Sequence, residues 1–150
     1  MSILVGLHNL TRWIVVILAV VALYRAYSGW LGRKEWTASD RKAGLFFGIG
    51  MDIQLMLGGI LYFIGNWGVK AFALAEAVPA AQRMSTLFFA IEHSTTMLLA
   101  VILTHVGSVM ARKAPDALSK HKRAAIWFTV AVLLVIVAIP WTQRSLIPAF

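Results

Sequence analysis

The residues best placed to do chemistry are polar side chains inside long apolar runs: His8, Arg12, Asp52, Gln54, Glu92, His93 and His105. An ionisable group at the centre of a bilayer costs on the order of 2.5–3.5 kcal/mol on the insertion scale, so each needs a partner, a cavity or a function. His8 and Arg12 are four residues apart and share a helix face, with Thr11 beside them. Glu92 and His93 are adjacent on a second run. Two neutral imidazoles from separate helices can each offer a lone pair to iron while the other ring nitrogen donates a hydrogen bond, which is the ligation of haem b. His8 and His93 are the expected axial ligands, and Arg12 is placed to neutralise a haem propionate. Gly48, Gly50, Gly58 and Gly59 would let a wide macrocycle approach the backbone.

The same residues allow a purely structural arrangement in which Arg12 pairs with Glu92, His8 sits at the headgroup level and His93 bonds a neighbouring helix. Asp52, near the middle of its run, is expected to be either uncharged or paired with Arg12. A second histidine pair, His105 with His121, is a weaker arrangement. The twelve residues from His93 to His105 turn a helix by about 120°, so those two do not share a face. His121 lies in Lys120-His121-Lys122-Arg123 and reads as part of an interfacial basic cluster meeting anionic lipid. His105 could serve a quinone pocket or a proton path. Transport is a third reading, without a broken helix or repeated carboxylates to mark a path.

These side chains must be positioned by membrane helices. Of the 150 residues, 60% are hydrophobic and 13% charged, far from the roughly 25% charged usage of soluble domains. The apolar runs lie at approximately Ile3–Tyr24, Gly44–Ile64, Met84–Met110 and Ala124–Trp141, near the roughly 17–25 residues that a spanning helix needs. Runs such as Ile14–Leu23 lack the alternation of a barrel strand, so the expected fold is all-α. One domain over residues 1–150, a four-transmembrane-helix up-down bundle, fits the length. The first run has no preceding basic residue and no cleavage pattern, and it is expected to be retained.

Ten of the fourteen Lys and Arg residues flank two connections, 25–42 and 112–123. The positive-inside rule then places both loops in the cytoplasm and both termini outside, in a bacterial inner membrane. Counted from the outer helix ends, His8 lies about 8 Å deep and Arg12, Glu92 and His93 about 12–13 Å, in one layer. The net charge of +8 sits between apolar runs, which points to a membrane surface and away from nucleic acid. The absence of cysteine excludes thiolate metal sites, iron–sulfur ligation and a cysteine nucleophile. No nucleotide-binding or hydrolase motif supports bond-making catalysis.

Trp30 and Trp36 at one boundary, and Tyr62, Trp67 and Trp141 at the other, read as interfacial anchors. Val69–Ala80 reads as a short surface helix that Pro79 would end or interrupt. Arg41-Lys42-Ala43-Gly44-Leu45-Phe46-Phe47 matches Lys122-Arg123-Ala124-Ala125-Ile126-Trp127-Phe128 in residue class, and His8-Asn9-Leu10-Thr11 echoes His93-Ser94-Thr95-Thr96. A duplicated helix pair would relate the halves by a pseudo-two-fold along the membrane normal.

The chain resembles a family of small bacterial four-helix membrane proteins sometimes labelled cytochrome b-like. The features are His8-Asn9-Leu10-Thr11-Arg12-Trp13, Gln54-Leu55 with Gly58, Glu92-His93, Lys120-His121-Lys122 and Ile139-Pro140-Trp141. The resemblance implies the topology and, by its label, a haem. More distantly, the histidines look like those of di-histidine b-type subunits that anchor respiratory dehydrogenases. The expectation is an electron-transfer protein; the alternative is a haem-free accessory subunit of a larger respiratory or photosynthetic complex. Expected partners are the lipid bilayer, other membrane subunits or a second copy, and a quinone.

Overall fold

A computed structural model describes residues 2–141, which are helical throughout their ordered elements: α1 Ser2–Leu31, α2 Ala38–Ile64, α3 Val69–Glu76, α4 Ala80–Leu87, a π-helical turn Phe89–His93, α5 Ser94–Arg112 and α6 Ala117–Ala138. Among the described residues four stretches are long and apolar enough to cross a membrane: Ile3–Leu31, Ala38–Ile64, Ala80–Arg112 and Ala117–Ala138. Apolar runs therefore predict the spans, while local polar chemistry sets their ends.

Helix α2 begins six residues before Gly44 because Thr37 and Asp40 form a capping box, with the Thr37 N–H donating to Asp40 Oδ2 at 2.8 Å. Helix α6 begins seven residues before Ala124 because Asp116 accepts from the Ser119 N–H at 2.8 Å. That bond and the Ser119 hydroxyl hold the exposed Asp116 carboxyl below its ordinary pKa. Helix α1 runs past Tyr24 to Leu31 and ends in a Schellman motif, Lys34 N–H to Gly29 O at 3.0 Å, which puts Arg33 in the left-handed region at φ 49°. The surface segment expected over Val69–Ala80 is α3, which ends at Glu76; Pro79 stands immediately before α4.

The spans pack in the ring order α1, α2, α5, α6, so α1 faces α5 and α2 faces α6 across the bundle. Alanines 22, 26, 43, 100, 111, 124 and 125 supply much of the core. Small side chains let helices approach where apolar burial from water cannot drive association. Near the basic loops the centre is closed by Phe47 of α2 and Phe128 of α6, whose rings meet edge to face at 5.6 Å. The Tyr27 hydroxyl ties α1 to Thr129 of α6 at 2.9 Å.

Both basic connections lie at the same end of the bundle, where Gly29 of α1 packs against the ring of His121. His121 corrects the sequence expectation. It is 1% exposed, stacked edge-on against Trp36 at 4.8 Å and within 3.3 Å of Glu35 O. The imidazole is a core plug at the basic end, and the absence of a Cβ on Gly29 makes room for it. Beside it, Arg25 bonds Asp40 at 2.8 Å, fastening α1 to the start of α2.

Candidate functional site

At the opposite end the bundle axis opens into a cavity of about 410 Å³, within the range of small-molecule sites. Its walls include His8, Arg12, Gln54, Gly58, Gly59 and His93. His8 on α1 and His93 on the π-turn stand on opposite sides of the bundle with ring centroids 6.4 Å apart and planes at 69°. The structure thus brings together three of the expected site residues, His8, Arg12 and His93, with Gln54 beside them.

His93 is positioned by two local irregularities. The His93 N–H reaches back five residues to Phe88 O at 2.9 Å, the register of a π-turn, a feature common at functional sites. Its ring packs against Phe89 at 5.6 Å, and Nδ1 lies 2.8 Å from Ala138 O. Ala138 is the last residue of α6, because Pro140 forces Ile139 into extended backbone with φ −68° and ψ 128°. The Ala138 carbonyl accepts a hydrogen bond from the His93 Nδ1–H. That bond fixes the tautomer and leaves Nε2 with the lone pair.

His8 is positioned by α2. The Gln54 amide nitrogen donates to His8 O at 2.9 Å and lies 3.3 Å from His8 Nε2, while the Thr11 hydroxyl bonds Gln54 Oε1. Gly58 lets the His8 ring lie close: a Cβ there would be 3.3 Å from its Cε1. His8 Nδ1 is buried without a hydrogen-bond partner, as is Glu92 Oε2. Among the described residues the other such atom is His121 Nδ1 at the basic end; of the three, the one on the cavity wall is His8 Nδ1, and since buried polar atoms are almost always satisfied, it marks the cavity as chemically incomplete.

Several expectations are corrected. Among the described residues Arg12 and Glu92 form no ion pair; Arg12 lines the cavity with its guanidinium 5.6 Å from the Trp13 ring centroid. Asp52 does not pair with Arg12. Its Oδ1 lies 2.7 Å from His105 Nε2, and the two side chains are 51% and 50% exposed on the outer face of α2 and α5, off the cavity. His105 and His121 do not form a second pair, since one faces outward and the other is in the core. Of the four glycines, Gly58 and Gly59 line the cavity, whereas Gly48 accommodates His105 and Gly50 accommodates Leu18 and Val15. Tyr62 and Trp67, read as anchors, also line the cavity, as do Met97 and Phe89. Phe89 carries no expectation from the sequence, although its place four residues before His93 is the signal that could have put it on this wall.

Among the described residues no group of three or more His, Cys, Asp or Glu side chains is arranged to hold a free metal ion. What the fold and the site define is a multi-pass helical membrane bundle with a two-histidine cavity at one end. Comparison with protein-family profiles, curated proteins and solved structures finds no match.

Proposed function

We propose that the chain is a b-type haem protein of the bacterial inner membrane that relays electrons, with His8 and His93 as axial ligands. The observation that carries this reading is the 6.4 Å separation of the two imidazoles on opposite walls of one cavity. Imidazole–metal bonds are about 2.0–2.1 Å long, and two of them plus the two ring radii separate centroids by roughly 6–6.5 Å. The Ala138-anchored His93 would offer its Nε2, His8 would offer a ring nitrogen from the opposite wall, and Gly58 and Gly59 leave space beside them.

Haem would supply one-electron redox chemistry, and the protein's part is binding, orientation and electrostatics. Arg12, on the cavity wall, would offset the charge of a propionate. The Ala138 carbonyl strengthens His93 as a ligand by holding its Nδ1 proton. The Gln54 amide holds the α1 backbone at His8, so the ligand is fixed by its main chain as well as its ring. The basic connections face the cytoplasm in this reading, and the cavity opens at the outer side.

A second reading, a haem-free accessory subunit, is favoured by one specific feature: Gln54, Thr11 and His8 already bond one another across α1 and α2 as interhelical glue. A reduced-minus-oxidised spectrum of the chain purified after haem-replete expression separates the two. Soret and α bands of b type are the expected result; a featureless difference spectrum leaves the accessory subunit.

A further inference from the structure

The basic end carries a second cleft, of about 360 Å³, that the haem reading does not use. Trp36, Thr37 and Ala38 form one side, and the cations Arg41 of α2, Arg112 of α5 and Lys120 of α6 converge on it from three helices. Among the described residues no carboxylate lines it. Of the carboxylates near it in sequence, Asp40 is engaged with Arg25 and Thr37 and Asp116 with Ser119, while Glu35 is exposed and outside the cleft lining. The ion pairs among the described residues are Arg25–Asp40 and Asp52–His105, so none engages these three cations.

Three cations held around one cleft repel each other unless an anion enters. We propose that this cleft binds the phosphate of an anionic phospholipid headgroup. The cleft lies where the spanning helices leave the apolar layer, at the starts of α2 and α6 and the end of α5, which is the level of lipid phosphates. Trp36 adds an amphipathic ring that suits the glycerol and upper acyl region, a contact inorganic phosphate would not use. Two backbone donors at the start of α2 are occupied by the Thr37–Asp40 capping box, so recognition comes from the side chains. Bound there, a lipid would clamp α2, α5 and α6 together at the end where their connections meet.

The test uses the whole chain in nanodiscs of phosphatidylcholine doped with phosphatidylglycerol, with retained lipid counted by native mass spectrometry. The wild type is expected to retain phosphatidylglycerol in preference to phosphatidylcholine. Arg41→Gln, Arg112→Gln and Lys120→Gln each lower that retention about fivefold, and the triple variant on the order of a hundredfold. A control that removes as many charges from the same end but outside the cleft, Arg33→Gln with Lys42→Gln and Lys113→Gln, retains lipid as the wild type does. Circular dichroism confirms that each variant is folded, and the single variants decide the matter if the triple is not. Equal retention of both lipids, or equal loss in the control, overturns the site. Displacement of the lipid by equimolar inorganic phosphate assigns the cleft to free phosphate and overturns the lipid.

Discussion

His8 and His93 open the two echoing segments His8-Asn9-Leu10-Thr11 and His93-Ser94-Thr95-Thr96, and their rings meet 6.4 Å apart across the bundle. Phe47 and Phe128 are likewise matching positions, and they meet at 5.6 Å at the other end. Equivalent residues would touch one another where a two-fold axis passes, and both contacts are ones that a duplicated helix pair would make. The ends differ in what lies between the equivalent side chains. Phe47 and Phe128 fill the axis, while His8 and His93 border a cavity.

Gln54 holds α1 to α2 at the level of His8. Gln54→Leu removes the donor to His8 O and the partner of the Thr11 hydroxyl, although Thr11 keeps Leu7 O at 3.0 Å. The expected loss of stability is about 0.6–1.7 kcal/mol, read by denaturant titration in micelles. An unchanged midpoint would show that the amide is not holding the helices together.

At Gly29 a Cβ would run into the buried His121 ring. Gly29→Ala is expected to lower stability by about 1–3 kcal/mol through overpacking, despite the better helix propensity of alanine. Adding His121→Ala should recover part of that loss. If Gly29→Ala is neutral, the close approach of α1 and α6 at this end is wrong.

The Asp52–His105 pair sits at the centre of α2 but on the outer face. His105→Leu strands a carboxylate in the apolar layer, at a cost on the order of 2.5–3.5 kcal/mol on the insertion scale, and Asp52→Leu with His105→Leu restores insertion. The measurement is the yield of membrane-inserted protein for each variant. Because neither residue lines the cavity, the absorption spectrum of the double variant should match the wild type. A shifted spectrum would mean that the pair is coupled to the cavity.

Arg33 adopts a left-handed φ of 49° at the end of α1, a conformation that disfavours a Cβ by roughly 1–2 kcal/mol. Arg33→Gly should raise the thermal midpoint, with part of the gain offset by the freer unfolded chain. A lowered midpoint would place the value of Arg33 in its side chain and not in its backbone.

The spans were legible because an unbroken apolar run long enough to cross a bilayer has few alternatives to a helix. Their first turns were not, since Thr37 and Asp116 draw polar residues into α2 and α6 through capping bonds that hydropathy does not register. The pairing of His8 with His93 followed from up-down topology, which makes α1 and α5 parallel. What held His93 was invisible: a π-turn shifts the register without a compositional mark, and Ala138 O acts through its main chain. His121 was misread because its neighbours in sequence are cations, while the residues that bury it, Gly29 and Trp36, belong to a distant segment. Asp52 and His105 are 53 positions apart and meet only through the packing of α2 on α5.

The most direct measurement is the haem-to-protein ratio, with the b-type difference spectrum, of the wild type, His8→Ala and His93→Ala after identical haem-replete expression. The wild type should carry haem near one per chain with low-spin, six-coordinate features, and each alanine variant should lose most of it while remaining helical and membrane-inserted. A wild type without b-type bands, or bands that persist unchanged in both variants, would contradict the assignment of these two histidines as haem ligands.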